Sequence, residues 1–137
     1  DLSYISSIDK ESDMQKAVNN SSSVRITRHN KSTDTASKNI KEKTEAVNED
    51  NAKIEYNSAY NSLIEAENSL KSAELGLENT NEDWKNAQNK YRLGMLSRAD
   101  YLEAELSYLR DVSEYEGSRM QLASAVSSYK WLLEGIG

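Results

Sequence analysis

Tyr56, Leu63, Leu70, Leu77, Trp84 and Tyr91 stand seven residues apart without a miss. Three residues after the first five come Ala59, Ala66, Ala73, Thr80 and Ala87. Large residues at one heptad position and small ones at the next make a helix that a neighbouring helix can approach closely. A seven-residue repeat held this long also imposes a left-handed supercoil. A second run follows the same logic: Tyr101, Tyr108, Tyr115, Leu122, Tyr129 and Ile136 are again seven apart. Leu102, Leu109 and Ala123 lie beside that run, and Val112, Val126 and Leu133 fall four after three of its members. This stripe is wider than one seam and calls for two neighbours, either a third helix or another subunit. The chain has no proline and only five glycines in 137 residues, which suits long unbroken helices.

The two runs meet at Tyr91 to Ala104, which reads YRLGMLSRADYLEA. Gly94 stands just past the last periodic residue of the first run, where a residue without Cβ can turn left-handed and close a helix. Ser97 stands where the next helix starts, and Asp100 puts a negative charge in its first turn. Ser97-x-x-Asp100 is a relaxed capping box. Gly94 to Ser97 is therefore expected to be the tip of an antiparallel helical hairpin.

Upstream the signals weaken. Residues 1–8 read as a Ser-rich lead-in. Asp9 can cap a short helix carrying Met14, Ala17 and Val18, which should break near Asn19 to Ser23. Ile26, Thr33, Ile40 and Val47 fall seven apart and suggest a weak amphipathic helix. Asn48 to Asn51 is all polar and rich in turn formers, and the apolar stripe changes phase there. A reversal at 48–51 accounts for both facts, against one helix running from about Ser22 to Leu93. The expected fold is all-α in a single domain, 1–137: an elongated antiparallel coiled-coil hairpin or three-helix bundle. Its helices should span about 9–20, 24–47, 52–93 and 97–134.

Composition narrows the function. The net charge is −6, from 17 basic and 23 acidic residues. No basic stripe stands out, which disfavours nucleic acid. No apolar run approaches the roughly 20 residues of a membrane-spanning helix. There is no cysteine, and the one histidine, His29, has no ligand-like neighbours. Phosphate loops, hydrolase elbows and metal-ligand sets are missing, and adjacent carboxylates such as Glu65/Glu67 point apart on a helix. The reading is a non-enzyme with no cofactor, metal or catalytic residue.

The stretch 91–104 resembles the tip motif of the outer-membrane efflux protein family, the TolC-like channels. Tyr91, Gly94, Ser97, Asp100, Leu102 and Ala104 fill the places of that motif. The alanine-punctuated run from Ala59-Tyr60 to Gly94 is similar to the family's descending helix. The run to Leu132-Leu133-Glu134-Gly135 is similar to its closing helix, and Met14 to Arg25 to the start of a repeat. In that family, two such repeats in each of three subunits form a hollow helical barrel whose tips dock an adaptor protein. The resemblance implies an exported component of the cell envelope, in the periplasm and outer membrane or at the cell surface. It also implies a partnership with further copies or a second repeat, and with the adaptor (membrane-fusion) protein of an export system.

By position, the docking tip would comprise Tyr91, Arg92, Gly94, Ser97 and Asp100. The packing seam would comprise Tyr56, Leu63, Leu70, Leu77, Trp84, Tyr101, Tyr108, Tyr115, Leu122 and Tyr129. Only one repeat is present, and no alternating ten-residue strands occur that could build the family's β-barrel. In the family those strands would lie between the helix ending near Val47 and the one beginning near Ala52. The alternative reading is a barrel-less bundle that serves as a structural or protein-interaction module at the cell surface, without transport.

Overall fold

A computed structural model describes residues 2–135; Asp1, Ile136 and Gly137 lie outside them. The described residues form five helices and no strand. These are α1 (Leu2–Ser6), α2 (Lys10–Asn20), α3 (Ser22–His29), α4 (Thr35–Arg92) and α5 (Arg98–Glu134). They cluster into two compact units, one holding the chain up to Ile64 and from Ser124 on, the other Glu65–Ala123.

The first unit begins with helix, not the expected lead-in: α1 buries Ile5. Asp9 caps α2 by accepting from the Ser12 backbone N–H at 3.2 Å. The break expected near Asn19 to Ser23 narrows to one residue, Ser21, whose extended ψ of 128° separates α2 from α3. Its N–H still reaches the carbonyls of Ala17 and Val18. Val18, Val24 and Ala52 close a small core across α2, α3 and α4.

The reversal expected at 48–51 is not there. α4 runs through it unbroken for 58 residues, and the chain instead turns at 30–34, ahead of Asp34. Asp34 caps α4 by accepting from the Ser37 N–H at 2.6 Å, and that contact holds its carboxyl below the usual carboxylate range. The helix survives at 48–51 because Asn48 and Glu49, with Glu45 a turn earlier, face α3 while Asp50 and Asn51 face solvent. Asn48 Nδ2 donates to Thr27 Oγ1 at 2.7 Å. Arg28 bridges Glu45 at 2.8 Å and Glu49 at 2.6 Å. The seven-residue stripe through Ile26, Ile40 and Val47 is not the contact face, because all three are more than half exposed. The heptad of the long helix simply extends backward in polar form, with Glu49 seven before Tyr56, and Glu45 and Ala52 in the series of Ala59. The break between helices accordingly lies at 30–34, not 48–51.

The deepest part of this unit is a chain of hydroxyls. Tyr56 and Tyr129 are both fully buried, with their oxygens 2.9 Å apart. Tyr129 donates to Asp13 Oδ2 at 2.9 Å, so the shared proton between the tyrosines comes from Tyr56. Asp13, itself buried, also meets Lys16 at 3.2 Å. The network joins α2, α4 and α5 at one point. Burial pushes the Tyr129 hydroxyl far above its usual range and raises that of Tyr56 as well, the Tyr129 contact partly offsetting the latter. α5 ends beside α2: Asn20 Nδ2 donates to Leu133 O at 2.6 Å, and Gly135 turns left-handed with φ 75° against Asn20 O. A side chain at Gly135 would collide with that backbone.

In the second unit, the stretches of α4 and α5 from Glu65 to Ala123 form an antiparallel hairpin. Leu70, Ala73 and Ala87 are buried, and Leu77 and Trp84 half-buried, on the α4 side. Thr80 Oγ1 donates across the seam to Asp111 Oδ2. Leu102, Leu106 and Leu109 on α5 are about half exposed, so the outer side of its wide stripe stays uncovered within this unit.

Two outcomes test this fold. Asp50→Pro should cost about 3 kcal/mol or more in chemical denaturation, because it removes a hydrogen bond inside a helix; a surface turn would absorb it. Tyr129→Phe should cost about 1–3 kcal/mol by leaving buried Asp13 without that donor. The folded-state pKa of Tyr129 lies above the ordinary value of 10.0. Its contribution is therefore complete below pH of about 10 and lost as pH rises further, and Tyr129→Phe should flatten that alkaline loss in a pH series of melting curves.

Candidate functional site: the hairpin tip

The tip is built by two helix ends. α4 closes with the N–H of Gly94 on Tyr91 O at 3.0 Å and the N–H of Met95 on Lys90 O at 2.8 Å. That pair of bonds, six-to-one and five-to-two, is the Schellman arrangement, and it requires the left-handed φ of 72° at Gly94. Lys90 and Arg92 in the last turn meet the negative end of the helix dipole.

α5 opens on Ser97. Its Oγ accepts from the Asp100 N–H at 3.1 Å and donates to Asp100 Oδ2 at 2.7 Å. Asp100 therefore closes the box through the serine hydroxyl, whereas a glutamate would reach the serine backbone. Five residues, Leu93 to Ser97, separate the two helices, and bonds at both helix ends hold them locally.

Behind it stands an aromatic ladder. Tyr91 stacks on Tyr101 with centroids 4.2 Å apart, Tyr101 lies 5.1 Å from Trp84, and Trp84 stacks on Tyr108 at 6.0 Å. Stacked and tilted ring contacts of this kind stabilise a seam beyond the area they bury.

The structure brings Tyr91, Gly94, Ser97 and Asp100 together at the tip, with Arg92 exposed beside them. Of the seam residues, Tyr56, Leu63, Leu70, Leu122 and Tyr129 are buried. Leu77, Trp84, Tyr101, Tyr108 and Tyr115 are half-buried. Sequence reasoning passed over the residues that project most: Leu93 is 67% and Met95 72% exposed. Apolar residues on both sides of a helix-closing glycine were the signal, since a turn leaves them nothing to pack on. The tip thus exposes Leu93 and Met95 in a turn flanked in sequence by exposed Arg92, Arg98 and Asp100. Among the described residues no group of three or more His, Cys, Asp or Glu could hold a metal ion. No helix among them is long and apolar enough to cross a membrane.

No protein-family model, curated protein or solved structure matches the chain.

The capping geometry carries its own test. Ser97→Ala should cost about 1 kcal/mol, and Gly94→Ala about 1–2 kcal/mol for a Cβ at positive φ, in thermal or urea unfolding. Equal stability of both variants with the parent chain would contradict these caps.

Proposed function

We propose that this chain is a TolC-like transport component of the cell envelope, exported to the periplasm and outer membrane or to the cell surface. Its helical hairpin contributes to the wall of an α-helical channel with further copies or a second repeat. Its tip, Tyr91 to Asp100, docks the adaptor protein of an export system. One observation carries the reading. Four of the six residues that match the efflux-family motif, Tyr91, Gly94, Ser97 and Asp100, take part in the bonds and stacking that hold the tip, and the closure leaves Leu93 and Met95 outward for a partner. An exposed apolar pair with a charged rim is the usual makeup of an interaction patch. The uncovered Leu102, Leu106 and Leu109 support packing against a neighbouring copy.

The test is direct. Gly94→Trp and Asp100→Arg should each reduce adaptor capture and export at least tenfold while helicity is retained. Unchanged capture and export would remove the docking role. The alternative, a surface interaction module without transport, draws on the first unit, where α1 to α3 close a core against α4 and α5 without further chains. Unaltered export in a strain lacking the protein would favour it.

A further inference from the structure

Charge is unevenly placed on this chain. Residues 25–43 hold Arg25, Arg28, Lys31, Lys38, Lys41 and Lys43 against Asp34 and Glu42, a net of +4 where the whole chain is −6. Counted over residues 1–50 the charge is only −1, which masks the concentration.

Arg28, Lys31, Lys38 and Lys41 line one groove where α3 meets the start of α4, and Arg25 lies on α3 beside it. α3 lies on the start of α4, with Lys41 Nζ donating to Arg28 O at 3.1 Å and Arg28 bridging Glu45 and Glu49. Of the nearby acids, Asp34 caps α4, Glu45 and Glu49 hold Arg28, and only Glu42 stands exposed on the same groove without an ion pair among the described residues. Arg25, Lys31, Lys38 and Lys43 are exposed and make no ion pair among the described residues. Two isoleucines sit among them, Ile26 at 63% and Ile40 at 66% exposure. Ile26 shares a groove with Arg25 and His29, and Ile40 shares one with Lys31 and Lys41.

We infer that this α3–α4 end is a peripheral binding site for an anionic lipid surface. Unpaired cations would meet the headgroup phosphates, and Ile26 and Ile40 would rest at the boundary with the acyl chains. Nucleic acid fits less well, because it offers nothing to two exposed isoleucines and the patch has no Phe, Tyr or Trp platform for a base to stack on. The inference is independent of the tip.

The experiment is co-sedimentation of the full chain with vesicles of phosphatidylglycerol and phosphatidylcholine, and of phosphatidylcholine alone. Binding should require the anionic lipid and fall as salt rises. Each neutralised cation near an anionic surface is worth roughly fivefold, so Arg25→Gln/Lys31→Gln/Lys38→Gln should weaken binding about a hundredfold with unchanged helicity. Ile26→Asn/Ile40→Asn should weaken it while keeping the salt dependence. Lys85→Gln/Arg110→Gln/Arg119→Gln, with the same change in net charge elsewhere, should leave it intact. Absence of binding to anionic vesicles overturns the inference, as does equal loss in the two triple variants. Salt-sensitive association with heparin or between copies, without vesicle binding, overturns it in favour of an acidic macromolecule.

Discussion

The heptad register of α4 is the constraint on which both units rest. In the second unit it is apolar and aromatic, and it pairs α4 with α5 through Leu70, Ala73 and Trp84. In the first unit the same register turns polar before Tyr56, and Glu45 and Glu49 use it to seat α3, with Asn48 beside them. A helix interior tolerates such a polar stretch when each side chain has a partner across the contact. Arg28 provides two of those partners and Thr27 the third. The exposed bonds among them are individually weak. Their effect is to choose which face of α4 meets α3, while the burial of Val24 and Ala52 supplies the greater part of the stabilisation.

That explains what was legible in the residues and what was not. The hairpin, its tip at Gly94 to Ser97 and the α2 start at Asp9 could be read because each carries a local signal that needs no partner. The continuity of α4 could not, because Asn48 to Asn51 looks the same in a turn as on a helix face that another helix covers. The misleading stripe of Ile26, Ile40 and Val47 kept a seven-residue spacing while pointing to solvent. The better signal was that Glu45, Glu49 and Ala52 already stood in the register of the residues that follow. The hydroxyl chain was hidden for a different reason. Asp13, Tyr56 and Tyr129 are far apart in sequence, and only the fold reveals that a carboxylate faces the tyrosine seam.

At the tip, sequence reading found the residues that make the turn and missed those that the turn displays. Gly94, Ser97 and Asp100 spend their polar groups on one another and on the helix ends, so their part in any docking is to hold the surface still. Leu93 and Met95 are the side chains the turn leaves exposed. The same division between fixing and displaying residues is seen along α5, where Tyr101 and Tyr108 stack inward while Leu102, Leu106 and Leu109 remain outward.

A channel wall needs those outward leucines to meet another helix pair, so the account depends most on whether copies of this chain associate. Absolute mass by light scattering, across a range of protein concentrations, decides it. The account predicts a closed assembly of three or a multiple of three copies that Leu106→Glu dissociates. A monomer at every concentration would contradict it.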